Sequence, residues 1–191
     1  MTQRGIALFG PPDSGKDAVT FALHRHDPRF VLLPKLKVGA GRAEGYEFVS
    51  AEHLGKLRAE GRLLIEARRY GNMYGIDRRA VEVRHAAGCV PVVHMSDVGD
   101  LRQLVDPAPG AWLRVLLWVP REVAFARSRE RGDSDTGRRL AAWDDTVLDL
   151  ERNADDKLFQ LRIDTDRVSA DAAAVTVAEG FRQMTMEPAP R

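Results

Sequence analysis

Short apolar runs alternate with mixed, amphipathic stretches along the whole chain. Ile6-Ala7-Leu8-Phe9 is apolar and stops at Gly10, which predicts a buried strand. Residues 18–24 predict a helix that closes near Asp27-Pro28. Phe30–Leu33 reads as a second strand, and residues 34–45, rich in Gly, Lys and Arg, as a loop. Tyr46–Val49 alternates like a strand, and Ser50 then caps a short helix ending at Gly61. Leu63–Ile65 and Gly71–Gly75 read as strand and turn, and Asp77 caps a helix that runs to Gly88. Val90–Met95 and Trp112–Val119 predict buried strands, with a short helix from Asp100 to Val105 between them. Arg121–Arg131 and 138–153 read as helices around a polar loop at 132–137. Leu158–Asp164 completes the strands, Ala170–Met184 is the last helix, and 187–191 is expected to fray. Strands interleaved with helices predict an α/β sandwich with a mainly parallel sheet.

Composition narrows the classes of partner. With 191 residues the chain can bury a core without disulfides or structural metal. Lys+Arg total 29 and Asp+Glu 28, so a net charge of +1 gives no general pull toward nucleic acid or anionic membrane. The bases are almost all arginine, 24 Arg against 5 Lys. That bias fits either bidentate phosphate binding or a genome rich in G and C, and only the positions of the arginines decide. Cys89, the single cysteine, excludes a disulfide framework within the chain. No apolar stretch approaches a membrane span and no signal-peptide pattern opens the sequence, so a cytoplasmic protein is expected, a monomer or a homodimer.

Chemistry enters at Gly10-Pro11-Pro12-Asp13-Ser14-Gly15-Lys16, which matches G-x-x-x-x-G-K between a strand and a helix. Such a loop curls so that backbone N–H groups converge on phosphate oxygens, and the following helix offers its N-terminus to the same anion. Gly10, Asp13, Ser14, Gly15 and Lys16 are therefore candidate ATP contacts, with Lys16 reaching the β- and γ-phosphates. Asp17 stands where a Ser or Thr commonly ligates Mg²⁺. A carboxylate is a hard ligand suited to the same ion, so ATP and Mg²⁺ are the expected cofactors, with Asp17 as metal ligand.

Further motifs resemble those of the guanylate kinase-like group of nucleoside-monophosphate kinases. Gly45–Ser50 is similar to that group's G-x-D-Y-x-F-V-S, Gly71-Asn72-Met73-Tyr74-Gly75 to its G-N-Y-Y-G, and Arg129–Gly132 with Arg139-Leu140 to the two ends of its ATP lid. The resemblance spans residues 4–165 and implies a P-loop kinase three-layer sandwich with a small acceptor-binding subdomain and a helical lid. It implies a core at 1–33, 78–126 and 140–186, an acceptor subdomain at 34–77 and a lid at 127–139. It implies that Tyr46 and Tyr74 hold an acceptor phosphate. Lys37 falls at one of the group's arginine positions and Pro34 at the other, with Lys35 and Arg42 close enough to substitute. Arg68 and His94 are further candidates for the acceptor side. Lid arginines Arg127, Arg131, Arg138 and Arg139 would close over the transferring group, with Arg131 and Arg139, beside Lys16, as the catalytic candidates.

Departures from the group concern specificity. Its guanine-reading Glu position holds Ile65, its guanine-contacting Ser or Thr position holds Ile76, and the first acid of its D-x-D-x-Q-G becomes His94. Glu66 is one residue out of register, which in a strand turns it to the opposite face. A base edge facing isoleucine would be left unpaired at about 1–3 kcal/mol per group, so guanine is disfavoured. The G-K-D loop and the missing guanine-reading Glu are similar to the ribose 1,5-bisphosphate phosphokinases of phosphonate catabolism, although Tyr46 is closer to guanylate kinases and the lid between Gly132 and Arg139 is shorter than in either group. The expected function is ATP-dependent phosphorylation of a small phosphorylated acceptor, a ribose bisphosphate or a nucleotide or phosphonate analogue. A divergent nucleoside-monophosphate kinase and an inactive binding module are the alternatives.

Overall fold

The structure is a computed structural model, and it describes residues 4–41, 43–69, 71–108 and 110–186. Its main sheet has five strands, all parallel: β1 (Gly5–Phe9), β2 (Phe30–Leu32), β7 (Val90–Met95), β8 (Trp112–Trp118) and β9 (Leu161–Asp164). Their order is β2-β7-β1-β8-β9, which leaves β1 in the middle. Every residue of β1 is buried, and this is why its sequence is a continuous apolar run rather than an alternating one.

Helices cover both faces. On one, Val19, Ala22 and Leu23 of α1 (Lys16–His26) pack with Ala173, Ala174, Val177 and Phe181 of α7 (Ala170–Met186) against Ile6, Leu8, Val115 and Leu117. On the other, Val81 of α3 (Arg78–Ala86), four apolar residues of α4 (Val98–Val105) and Leu150 of α6 (Thr136–Asn153) cover Ala7, Phe9, Val93 and Met95. This is the α/β sandwich with a parallel sheet that the pattern predicts, in the three layers that the resemblance implies. Asp77 and Ser50 cap α3 and α2 (Ala51–Ala59), accepting hydrogen bonds from the backbone N–H groups of Arg79 and His53. α5 (Arg121–Glu130) ends at the polar turn before α6, which begins at Thr136, two residues earlier than the apolar pattern suggests.

A second sheet of four strands follows β2, in the order β4-β3-β6-β5. It comprises β3 (Lys35–Val38), β4 (Tyr46–Phe48), β5 (Leu63–Arg69) and β6 (Asn72–Asp77). Here the sequence expectation needs correction: residues 34–45 are not all loop, because Lys35-Leu36-Lys37-Val38 pairs with both β4 and β6. The last strand of the main sheet is also shorter than expected, since Leu158 sits in a turn and pairing begins at Leu161. Leu36, Leu54 and Leu57 form a separate small core under this sheet. Arg42 and the tail at 187–191 lie outside the described residues. No helix among the described residues is long and apolar enough to cross a membrane.

Candidate active site

The phosphate loop leaves the central strand at its carboxyl end, between β7 and β8, where open parallel sheets bind ligands. Gly10 is forced there: a Cβ would stand 2.4 Å from the backbone oxygen of Leu117. Gly15 caps α1 with φ 87, a left-handed conformation open to glycine at no cost. Asp13 adopts the same region with φ 64, the one non-glycine residue to do so among the described residues. Strain of this kind is kept where surrounding contacts hold it.

Lys16 folds back over the loop. Its Nζ donates to the carbonyls of Gly10 (2.7 Å) and Pro11 (2.8 Å) and to Ser14 Oγ (3.3 Å). Ser14 is wholly buried within the loop, its N–H donates to the Pro11 carbonyl, and it does not line the cleft, so it shapes the loop in place of the expected ATP contact. Arg127 braces the same loop from behind. It donates to the Asp13 carbonyl (3.0 Å), to Thr165 Oγ1 (3.1 Å) and to the Thr165 carbonyl (2.6 Å). Thr165 in turn donates to the Ser14 carbonyl at 3.0 Å. Arg127 lines the cleft, but these bonds tie its guanidinium to the protein, a bracing role in place of the expected lid contact.

The Asp13 side chain is only 3% exposed, because Arg131 and Arg139 cover it. Its Oδ1 accepts from Arg131 and, at 3.3 Å, from Arg139. Asp133 and Asp135 hold the same arginines from the lid side: Arg131 reaches Asp133 at 2.7 Å, and Arg139 reaches Asp135 at 2.9 Å and Asp133 at 3.2 Å. Burial pulls the Arg131 guanidinium down, but the two carboxylates hold it above its ordinary value overall. Arg131 likewise holds Asp133 below the usual carboxylate range. Arg131 is held through Nη2 and Arg139 through Nε and Nη1, and both residues line the cleft. Arg138 also lines it and is exposed.

Asp17, in the first turn of α1, projects a half-exposed carboxylate into this cleft beside Lys16. His94, near the end of β7, places Nδ1 3.6 Å from Asp17 Oδ1. Its other nitrogen, Nε2, is 2.7 Å from Thr20 Oγ1 on α1. His94, expected on the acceptor side, therefore belongs with the phosphate loop. The donor chemistry of Asp17 fits a hard divalent cation. Among the described residues no three His, Cys, Asp or Glu side chains gather to hold a metal by themselves.

Across a cleft of about 1470 Å³, Lys35, Glu44 and Tyr46 face the loop. Lys37 and Tyr74 do not line the cleft but pack behind Tyr46. Lys37 is 3% exposed, and its Nζ lies 4.9, 5.2 and 5.9 Å from the ring centres of Tyr46, Phe48 and Tyr74. Burial lowers the Lys37 pKa, while the three ring faces favour its charged form. Asn72 closes the cage, donating to Tyr74 Oη (3.3 Å) and accepting from the Ala40 N–H (3.0 Å). Arg68 is exposed on β5 and is not brought into the cleft.

Ile65 and Ile76 pair across β5 and β6, and both are 1% exposed inside the main core. Glu66 turns the other way, where Arg58 binds its carboxylate and holds it below its ordinary pKa. Phe48, Thr20, Thr165 and the latch on Asp13 are site features that the sequence did not signal. Only Asp13 carried a hint, an acid with a short side chain inside a loop of glycines.

No protein-family model matches this sequence, and no curated protein does. Among solved structures the chain is similar to a guanylate kinase from Anaplasma phagocytophilum, at 17% identity and a TM-score of 0.67, over 98% of this chain and 89% of that one. It is also similar to a gluconokinase from Sinorhizobium meliloti 1021, at 18% identity and a TM-score of 0.52, over 97% and 95% of the two chains. At these identities the likeness is one of fold, an α/β sandwich with a mainly parallel sheet of five strands.

Proposed function

We propose that this protein is an ATP-dependent phosphotransferase that moves the γ-phosphate onto a small phosphorylated acceptor other than GMP, with a ribose bisphosphate, or a nucleotide or phosphonate analogue, as the acceptor class. One observation carries the proposal. A braced phosphate loop with its lysine and two lid arginines shares a single cleft with Lys35 and Tyr46, while Ile65 and Ile76 are sealed into the core.

ATP phosphates would meet the loop at the N–H groups of Asp13, Gly15 and Lys16, since Pro11 and Pro12 have none and those of Gly10 and Ser14 are bonded to the Met95 and Pro11 carbonyls, with Lys16 exchanging its carbonyl partners for phosphate oxygens. Arg131 and Arg139, positioned by Asp13, Asp133 and Asp135, would turn their remaining N–H groups to the charge that develops on the moving phosphoryl group. Mg²⁺ held by Asp17 would neutralise phosphate charge when bound. The acceptor phosphate would sit against Lys35 and Tyr46, with the Lys37 ammonium behind Tyr46 adding to the positive field. A phosphate oxygen of the acceptor attacks the γ-phosphorus, the bond to the β-bridging oxygen breaks and ADP leaves. Such a nucleophile is already ionised at neutral pH, so no strong general base is needed. Phosphorus NMR of a reaction with ATP, Mg²⁺ and ribose 1,5-bisphosphate or a nucleotide acceptor tests this reading. Paired doublets of a new phosphoanhydride support it, and ATP unchanged, or hydrolysed only to free phosphate, with every acceptor refutes it.

A further inference from the structure

Two residues that stand out in the sequence, Asp17 after the loop lysine and His94 at the end of a buried strand, are neighbours in space. Asp17 Oδ1 and His94 Nδ1 are 3.6 Å apart, and both residues line the cleft that holds the phosphate loop. That separation exceeds the 2.7–3.2 Å of an N–H···O hydrogen bond. It does suit two ligands of one ion. Donors each about 2.1 Å from a first-row divalent cation stand roughly 3.0 Å apart as octahedral neighbours and roughly 3.4 Å apart as tetrahedral ones. A shift of a few tenths of an ångström brings both onto one ion.

The surroundings set the imidazole up for this. His94 lies between Val93 and Met95, both buried, in register with Leu8 of the central strand, so its backbone is fixed. Thr20 is nearly buried, and its Oγ1 lies 2.7 Å from Nε2. With the proton on Nε2 and donated to that hydroxyl, Nδ1 presents its lone pair toward Asp17. A ligating histidine is commonly oriented through its other ring nitrogen in this way. Two protein donors are too few to hold a cation alone, and no third His, Cys, Asp or Glu joins them among the described residues. The remaining ligands must arrive with the nucleotide, whose phosphates would lie on the adjacent loop.

We propose that Asp17 and His94 form a two-residue chelate for the divalent cation that accompanies the nucleotide, with His94 Nδ1 bonded directly to the metal. The inference rests on the kinase reading above. A mixed nitrogen and oxygen donor set favours Mn²⁺ or Co²⁺ over Mg²⁺, which prefers oxygen alone. The chain is thereby assigned a softer metal preference than an all-oxygen site would give.

The test uses the full-length protein with ADP and Mn²⁺, and needs no acceptor. ADP binding is followed by calorimetry, and the bound Mn²⁺ by pulsed electron paramagnetic resonance, with protein carrying either natural-abundance or ¹⁵N-labelled histidine. The expected result is a directly bonded nitrogen coupling that converts from ¹⁴N to ¹⁵N with the labelled protein. It should vanish in His94→Gln, with Mn²⁺·ADP affinity falling about tenfold. ADP binding with Mn²⁺ but no histidine coupling in the wild type overturns this inference alone, whatever the variant does. Failure of ADP to bind at all overturns the kinase reading and the chelate with it.

Discussion

Asp13 Oδ1 lies 3.3 Å from a guanidinium nitrogen of Arg139, joining the phosphate loop to α6 across 126 residues of sequence. Arg131 reaches the same oxygen. The loop, Arg131 and Arg139 are therefore one electrostatic unit. Asp→Asn at position 13 leaves the shape but removes the charge that two arginines share. Because the arginines are partly exposed, the expected loss is about 1–3 kcal/mol rather than that of a fully buried pair. Asp13→Gly loses the same charge but relieves the left-handed backbone, and should recover roughly 1 kcal/mol relative to Asp13→Asn. Urea unfolding of the three proteins checks both. Equal stability of wild type and Asp13→Asn would contradict the latch.

Lys16 bridges three oxygens of the loop and is the group expected to follow phosphate charge through transfer. Lys16→Ala should lower turnover by at least about a hundredfold, the scale lost with one electrostatic donor. Circular dichroism should remain that of the folded wild type. Wild-type turnover in this variant would remove Lys16 from the chemistry.

Ile65 occupies core volume with Ile76, Phe9 and Met95. Ile65→Glu should therefore destabilise the fold by about 3 kcal/mol or more, since it buries a carboxylate without a partner. It should not create GMP phosphorylation. A stable variant that gains it would show that residue 65 faces a base pocket after all.

The buried Lys37 gives a pH signature. Burial lowers its pKa in the folded state below the unfolded value of 10.5, so between the two values the unfolded chain binds more protons than the folded one. The unfavourable contribution is present in full below the folded pKa and disappears as pH rises toward 10.5. The wild type should therefore gain stability relative to Lys37→Met as pH is raised through this alkaline window. Denaturation midpoints of both proteins across the window measure it, and a constant difference would mean that Lys37 titrates normally.

What the sequence disclosed follows from how local each signal is. The fully apolar β1, the Asp77 and Ser50 caps and the phosphate loop depend on neighbours within a few residues, and all are legible in the chain. β3 was hidden because its two lysines and flanking glycines resemble a loop. It is a strand because β4 and β6 pair with it and three aromatic rings shelter Lys37. The roles of Arg127, Thr165 and Asp13 depend on contacts 38 to 151 residues apart, which no periodicity encodes. The register argument that turns Glu66 away from the Ile65 face is local again, and the strand geometry agrees with it.

The central claim is that the cleft phosphorylates a phosphate-bearing acceptor whose recognition involves no guanine. Coupled ADP release at saturating ATP and Mg²⁺, with kcat/KM compared for ribose 1,5-bisphosphate, a set of nucleoside monophosphates and phosphonate analogues, tests it most directly. Turnover well above the ATPase background is expected for at least one of these acceptors, with GMP at background. GMP as the preferred substrate, or no turnover of any acceptor, would contradict it.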